Sequence, residues 1–313
     1  MKAVVTGGAG FIGSHIVDLL LENDSEILVI DNFSSGKKEH LDFTQKKLHV
    51  LEADISHSVC IREIEKFQPD MVFHYAGQIS VGYSVREPQG DAQQNIMATL
   101  KLLEASKGLQ VQKFIMASSA AVYGDQLYYP TTEEHTQFPH SPYAISKKCC
   151  ETYLEYYGRN SNMQTFALRF SNVYGPRQNA GGESGVIAIF FDRLQAQNSF
   201  TINGDGLQTR DFVFVEDVAR ANWMCATAEN LTNYNCFNVS GAQEISIVKL
   251  VSLAQDIAKK HGFTSLKIAH GEALAGELRR SSLSYKNIYH SVGWAPKTTL
   301  AEGLEKTCLY FAK

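Results

Sequence analysis

Through the first half of the chain, short and almost continuously apolar runs alternate with longer segments in which apolar residues recur every three or four positions. The runs are KAVVT (2–6), EILVID (26–31), KLHVLEAD (47–54), DMVFHYA (70–76), VQKFIMASS (111–119) and QTFALRF (164–170). Runs that stay apolar at successive positions suit parallel strands covered on both faces. The segments between them, among them SHIVDLLLEN (14–23), Pro88–Ser106 and Pro142–Arg159, carry the helical period. Strand and helix in alternation predict an α/β fold built on a doubly wound parallel sheet of the Rossmann kind, with right-handed crossovers.

After Ser171 the rhythm changes. NVYGPRQNAGGESG (172–185) reads as a polar, glycine-rich loop. A helix near 186–197, strands at FTING (200–204) and RDFVFVEDV (210–218), a helix to about Glu229, a strand at CFNVS (236–240) and a helix over 245–261 follow. A last helix is capped by Thr298 or Thr299. The pattern divides the chain into an N-terminal α/β domain over 1–171, with segments returning near 210–240, and a smaller C-terminal lobe built mainly from 172–313.

Bulk properties narrow the field. With 313 residues, a net charge of −4 and no basic block, the chain fits neither a nucleic-acid partner nor an anionic membrane surface. The longest apolar run, around Val186–Phe191, is far shorter than a membrane span. The first six residues read as a strand and not as a signal peptide. Six cysteines form no CxxC pair and no zinc spacing, which predicts reduced thiols in a cytoplasmic protein. Ten histidines contain no HExxH arrangement, so no metal is expected.

Four glycines crowd the seven residues after the first strand, in TGGAGFIG. Gly8, Gly10 and Gly13 match a G-x-G-x-x-G turn between a strand and the helix it opens, and Asp31 ends the next strand about 20 residues on. Glycines there let a pyrophosphate approach the backbone at a helix N-terminus. An acidic residue at Asp31 accepts from a ribose 2′-hydroxyl and repels a 2′-phosphate, which favours NAD over NADP.

Tyr143 and Lys147 lie four residues apart at the start of a predicted helix and so share a face. A phenol ionises near pH 10 and is a poor base at neutral pH. An ammonium about 6 Å away, at an effective dielectric of about 20, favours the phenolate by roughly 3 kcal/mol. Such a tyrosine can take a hydroxyl proton while hydride leaves for NAD⁺. A serine at the end of VQKFIMASS would assist, and strand alternation lets only one of Ser118 and Ser119 face the same side.

TGGAGFIG, Asp31-Asn32, FHYAGQISV, ASSAAVYG, SPYAISK, LRFSNVYGPR and GDGLQTRDFVFVEDV resemble an extended short-chain dehydrogenase/reductase, over nearly the whole chain. Specifically, they are similar to the nucleotide-sugar epimerase/dehydratase family, and most of all to its UDP-glucose 4-epimerase group. The resemblance implies a loop register of Gly7, Gly10 and Gly13. It implies NAD contacts at Phe11, Ile12, Asp31, Asn32, Asp54, Ile55, Tyr75, Ala76, Gly77, Gln78, Asn95, Tyr143, Lys147 and Val173, and Ser119 as the catalytic hydroxyl. Family members that eliminate water carry an Asp-Glu pair after that hydroxyl, and decarboxylating members a glutamate. Here Ala120 and Ala121 stand there, which leaves hydride removal and return at C4 of a UDP-hexose.

For the nucleotide sugar the resemblance implies Asn172, Val186, Phe190, Thr201, Ile202, Asn203, Arg210, Glu277 and Ser281. Arg210 has a competing structural assignment as an ion pair with Asp211 or Asp205. The arginine that usually meets the diphosphate is replaced by Leu274, with Arg279 or Arg280 as candidates to compensate. Ser281 stands where a bulky aromatic would close the pocket to N-acetyl groups, so UDP-GlcNAc and UDP-GalNAc join UDP-Glc and UDP-Gal as expected substrates. A homodimer is implied through helices 88–106 and 143–158, with Ile96, Leu100, Leu103, Tyr153, Leu154 and Tyr157 forming either the interface or core. A nucleotide-sugar 4-ketoreductase and a non-catalytic dinucleotide sensor remain as alternatives.

Overall fold

The computed structural model describes residues 1–181, 185–273 and 278–312. Its first half runs β1 (Lys2–Thr6), α1 (Phe11–Glu22), β2 (Glu26–Asp31), β3 (Leu48–Glu52), α2 (Ser58–Phe67), β4 (Met71–His74), α3 (Val81–Arg86), α4 (Pro88–Ala92), α5 (Ala98–Gly108), β5 (Lys113–Ser119), α6 (Pro142–Arg159) and β6 (Gln164–Phe170). A π-helical turn at Gln93–Met97 joins α4 to α5, so the single helix expected from Pro88 is interrupted there. The second half runs β7 (Asn172–Tyr174), α7 (Val186–Gln195), β8 (Phe200–Asn203), β9 (Thr209–Phe214), α8 (Val215–Thr227), β10 (Tyr234–Val239), β11 (Glu244–Ser246), α9 (Ile247–Lys260), β12 (Ile268–Gly271), β13 (Arg280–Ser281), α10 (Lys286–Val292) and α11 (Leu300–Phe311).

Seven strands form one parallel sheet in the order β10-β6-β5-β4-β1-β2-β3. Alternate residues feed two separate cores, which is why these strands read as continuously apolar. Ala3, Val5, Phe73 and Leu168 pack under α1 and α8, with Trp294 in the same cluster. Val4, Val72, Phe114 and Ala167 pack under α2, α5 and α6. The strand order reverses between β1 and β4, and in such a sheet ligands enter beyond the strand carboxyl ends at this point. Segments 215–239 and 286–294 both return to this sheet from the second half.

The smaller lobe holds β11-β9-β13 with β7 also on β9, and the parallel pair β12-β8. Phe190, Phe191, Phe200, Ile202 and Leu304 fill its core. The run RDFVFVEDV divides at Phe214, where the expected strand gives way to α8. Glu216 and Asp217 sit in the first turn of α8, where carboxylates meet the positive end of the helix dipole. Thr299, not Thr298, caps α11, in a reciprocal capping box with Glu302. Leu103, Leu154 and Tyr157, weighed above as interface or core, lie in the core, while Ile96, Leu100 and Tyr153 are only partly buried against it. Met97 and Tyr156 point outward on the same helices.

Asp211 pins the two sheets together. It is fully buried on β9, with Oδ1 accepting from Gly241 N at 2.9 Å just past β10 and Oδ2 from Leu283 N at 3.2 Å past β13. Burial raises its pKa to about 7 despite those donors. The unfolded carboxyl titrates near pH 3.9, so the folded state holds the proton more tightly. The stability tied to the protonated form is therefore complete below about pH 4 and is lost as pH rises through 7. In urea titrations from pH 4.5 to 8, the stability difference between wild type and Asp211→Asn should move by about 2–4 kcal/mol in favour of the variant. A pH-independent difference would contradict this assignment.

Candidate active site

The glycine turn after β1 is built for close backbone contact. Gly7 has φ +68°, and a Cβ there would lie 2.6 Å from Ala76 N. A Cβ on Gly13 would overlap the Gly7 carbonyl oxygen, and Gly10 N donates to that same oxygen at 3.1 Å. The turn therefore takes the register Gly7, Gly10, Gly13. The alternative with Gly8 first is corrected, because Gly8 is instead packed against the Val29 side chain and lacks a positive φ. Helix α1 starts on Gly10 with no side-chain cap, which leaves its first N–H groups to a ligand.

A cavity of about 320 Å³ runs from this turn along the strand ends. At one end stand Asp31, Asn32, Asp54 and Ile55; Gly7, Gly10, Phe11, Ile12 and Gly13 line its middle together with Tyr75, Ala76 and Gly77. Asp31 is buried, its oxygens accepting from Ala9 N at 2.9 Å and Phe33 N at 2.8 Å. Asn32 donates to Asp54 at 2.9 Å, and hydrogen bonding to Ser56, ahead of the Asn32 contact, keeps the Asp54 carboxyl below its usual range. At the other end stand Ser119, Tyr143, Lys147 and Val173.

Of the residues expected to meet the cofactor, Gln78 and Asn95 do not line the cavity. They brace the loop behind it. Asn95 Oδ1 accepts from Gln78 N, and its Nδ2 donates to Gln78 O and Asp91 Oδ1. The fully buried Asp91 also accepts from Gln78 Nε2 and from Ser146 on α6, and so ties the Gly77–Gln78 loop to the helix carrying Tyr143.

Local chemistry sets that helix. Ser141 accepts from Ala144 N as its N-cap, and Pro142 takes the first helical position. Lys147 Nζ donates to Ala117 O at 3.0 Å and lies 5.9 Å from the Tyr143 ring centre. Both serines at the strand end line the cavity. Ser118 is buried and its Oγ donates to Glu151 Oε1 at 2.5 Å, whereas the less buried Ser119 accepts through Oγ from Ala121 N at 3.1 Å.

Two supports went unread in the sequence. Glu151 is one helical turn beyond Lys147 and forms a buried pair with Arg169 of β6, at 2.9 Å to Nε and 2.6 Å to Nη2. Arg169 Nη1 donates to Tyr123, which donates to Asn238 on β10. A lone arginine within an apolar strand was the available signal. The other support is His74, whose pKa burial lowers to about 3. Thr99 Oγ1 donates to Asn95 O, so His74 Nε2–H donates to Thr99 and Nδ1 accepts from Thr6. Thr6 then accepts from Tyr75 N and Ala76 N, which holds the cavity wall.

The residues expected to bind the nucleotide sugar sit apart from this cavity. Asn172 and Arg210 lie on β7 and β9, Thr201, Ile202 and Asn203 on β8, Ser281 on β13, and Val186 and Phe190 on α7. Phe190 and Ile202 are buried, their side chains packed in the lobe core. Arg210 Nη1 donates to Thr209 O, while Asp205 forms a bidentate pair with Arg279 and Asp211 faces backbone N–H groups. Arg280 is likewise engaged, with Glu244 and over Tyr129. Glu277 and Leu274 lie outside the described residues.

The NAD dependent epimerase/dehydratase family profile matches residues 3–240. Among solved structures, the chain is 39% identical to UDP-glucose 4-epimerase of Thermotoga maritima with UDP-glucose (TM-score 0.92, covering 99% of this chain and 98% of that one). It is 34% identical to UDP-N-acetylglucosamine 4-epimerase of Methanobrevibacter ruminantium in complex with UDP-N-acetylmuramic acid (TM-score 0.92, 99% and 97%). It is 35% identical to the Thermus thermophilus UDP-glucose 4-epimerase complex with NAD (TM-score 0.90, 99% and 99%).

Glu151→Ala should lower unfolding stability by about 3–5 kcal/mol, because it strands a buried guanidinium. The paired change Glu151→Leu with Arg169→Met should recover much of that loss in the same urea titrations. A loss below about 1 kcal/mol in the single variant would show that the pair does not anchor α6.

Proposed function

The chain belongs to the NAD dependent epimerase/dehydratase family, and from that premise we propose that it is a UDP-hexose 4-epimerase acting through Ser119, Tyr143 and Lys147. The cavity fits the dinucleotide. Its glycine turn has no room for a Cβ at Gly7 or Gly13, the first N–H groups of α1 carry no cap, and Asp31 sits at the end suited to a ribose diol. Bound there, the nicotinamide supplies a reversible hydride acceptor.

The protein's own groups handle the proton. Tyr143 accepts the proton of the sugar 4-hydroxyl and later returns it. Lys147, held by Ala117 O, keeps a positive charge 5.9 Å from the phenol ring and stabilises negative charge developing on its oxygen. Ser119 hydrogen-bonds the same substrate oxygen. The observation that carries the reading is this convergence beside Ala120 and Ala121, neither of which can donate or accept a proton. Elimination and decarboxylation need such a group after the serine; epimerisation needs none.

On the sugar side, Ser281 on β13 is opposite Arg210 on β9, and its small side chain leaves space for a C2 substituent. This supports turnover of UDP-GlcNAc and UDP-GalNAc beside UDP-Glc and UDP-Gal. Asn172, Val186, Thr201, Asn203 and Arg210 are the proposed nucleotide contacts. Outward Met97 and Tyr156 on adjoining helices support a homodimer through that face.

Tyr143→Phe should lower turnover of UDP-galactose at least ~100-fold in a coupled assay while the protein keeps its bound NAD by native mass spectrometry. Near-normal turnover would refute the assigned base. Ser281→Tyr should abolish turnover of UDP-GlcNAc and leave UDP-galactose turnover within a few-fold. Equal loss of both would remove Ser281 as the residue that admits N-acetyl groups.

A further inference from the structure

Asp91 is fully buried in α4, with three neutral partners and no paired cation among the described residues. Its Oδ1 accepts from Gln78 Nε2 at 2.8 Å and from Asn95 Nδ2 at 3.0 Å, and its Oδ2 accepts from Ser146 Oγ. A charge taken out of water is costly unless its hydrogen bonding is complete. A carboxylate is acceptor-only, so it can receive three donors that converge from separate segments without turning any of them away.

Those segments enclose the reacting end of the cavity. Gln78 belongs to the loop after β4, Asn95 to the π-helical turn, and Ser146 stands between Tyr143 and Lys147 on α6. Turns of the π kind gather at functional sites. This one leaves Gln94 on the cavity wall, while Asn95 O takes Thr99 Oγ1 and Cys150 Sγ. Gly77, which lines the cavity, is where the three segments meet: a Cβ there would lie 2.7 Å from Asn95 Oδ1 and 3.9 Å from Lys147 Nζ. The geometry points to Asp91 as a positioning residue for the proton transfer: it fixes the spacing between the Gly77–Gln78 wall and the helix carrying Tyr143 and Lys147. Asp91 itself does not line the cavity, so its loss slows turnover without loosening either ligand. It has this role only if Tyr143 and Lys147 act as proposed above.

Turnover of UDP-galactose by the full chain, divided by the NAD each variant retains, separates positioning from folding. Asp91→Ala should lower kcat about 10–100-fold with KM within about threefold. Asp91→Asn keeps an acceptor for Gln78 and Asn95 and gives the Ser146 oxygen a donor, so kcat should return to within about fivefold of wild type. Ser146→Ala, which removes only the α6 arm, should cost about tenfold, and combining it with Asp91→Ala should add nothing further. A loss that follows NAD retention, with kcat per bound NAD unchanged, would leave Asp91 a support of the fold alone and overturn the proposal. So would losses that multiply in the double variant. If Asp91→Ala does not fold, Ser146→Ala decides: a normal kcat there overturns the proposal. Near-normal turnover of Tyr143→Phe would instead remove the assigned base, and the role of Asp91 with it.

Discussion

The buried pair of Glu151 and Arg169 is the constraint on which the site's geometry depends. Both side chains are 4% exposed. Removing two charges from water costs several kcal/mol per ion and is offset only when the hydrogen bonding is nearly complete. Here it is: Arg169 gives Nε and Nη2 to Glu151 and Nη1 to Tyr123, while Glu151 also takes Ser118 and Gln137. These contacts join α6 to the ends of β5 and β6. They also engage the Ser118 hydroxyl, while Ser119 beside it makes no bond to this pair. A helix free to slide along the sheet would change the distance from Tyr143 to Ser119. One with a satisfied ion pair beneath it meets a steep electrostatic penalty for moving.

The opposite wall is held by neutral hydrogen bonds. His74 is buried too deeply to charge, and its fixed tautomer passes a chain of donors from Thr6 to Asn95. Asp91 links that wall to α6 through Ser146. Two networks therefore meet on α6, one ionic and one largely neutral. The cavity between them is left with open N–H groups on α1. Rigid walls with unsatisfied groups aimed inward describe a preorganised binding site, where little ordering entropy is lost when the ligand arrives.

The candidate groups fall on two sets of elements. Cofactor-side residues sit on strand ends and helix starts of the large sheet, whose seven parallel strands allow little adjustment. Candidate sugar contacts come from β7, β8, β9, β13 and α7 of the smaller lobe. Neighbours of nearly equal structural similarity act on UDP-glucose and on UDP-N-acetylglucosamine. The same scaffold thus serves different sugars, as expected where reaction groups and specificity groups sit on separate elements.

Whereas the short β7, β11, β12 and β13 were not, the seven strands of the large sheet, the glycine turn, Asp31 and the Tyr143–Lys147 spacing were legible in the residues alone. Each is a local signal: a period of two or 3.6, a turn that only glycine permits, or two side chains one helical turn apart. The choice between Ser118 and Ser119 was not legible from residues alone, because Ser118 finds its partner 33 residues away. Gly7 displaces Gly8 as the turn residue because of the backbone of Tyr75 and Ala76, which reaches it only across the sheet. Phe190 and Ile202 turn out to be core because the smaller lobe closes over them. The sequence by itself determined which segments form the sheet and which groups could do chemistry. Only the tertiary structure decided which of those groups face the ligand, since that depends on partners distant in the chain and on which polar atoms packing leaves unsatisfied.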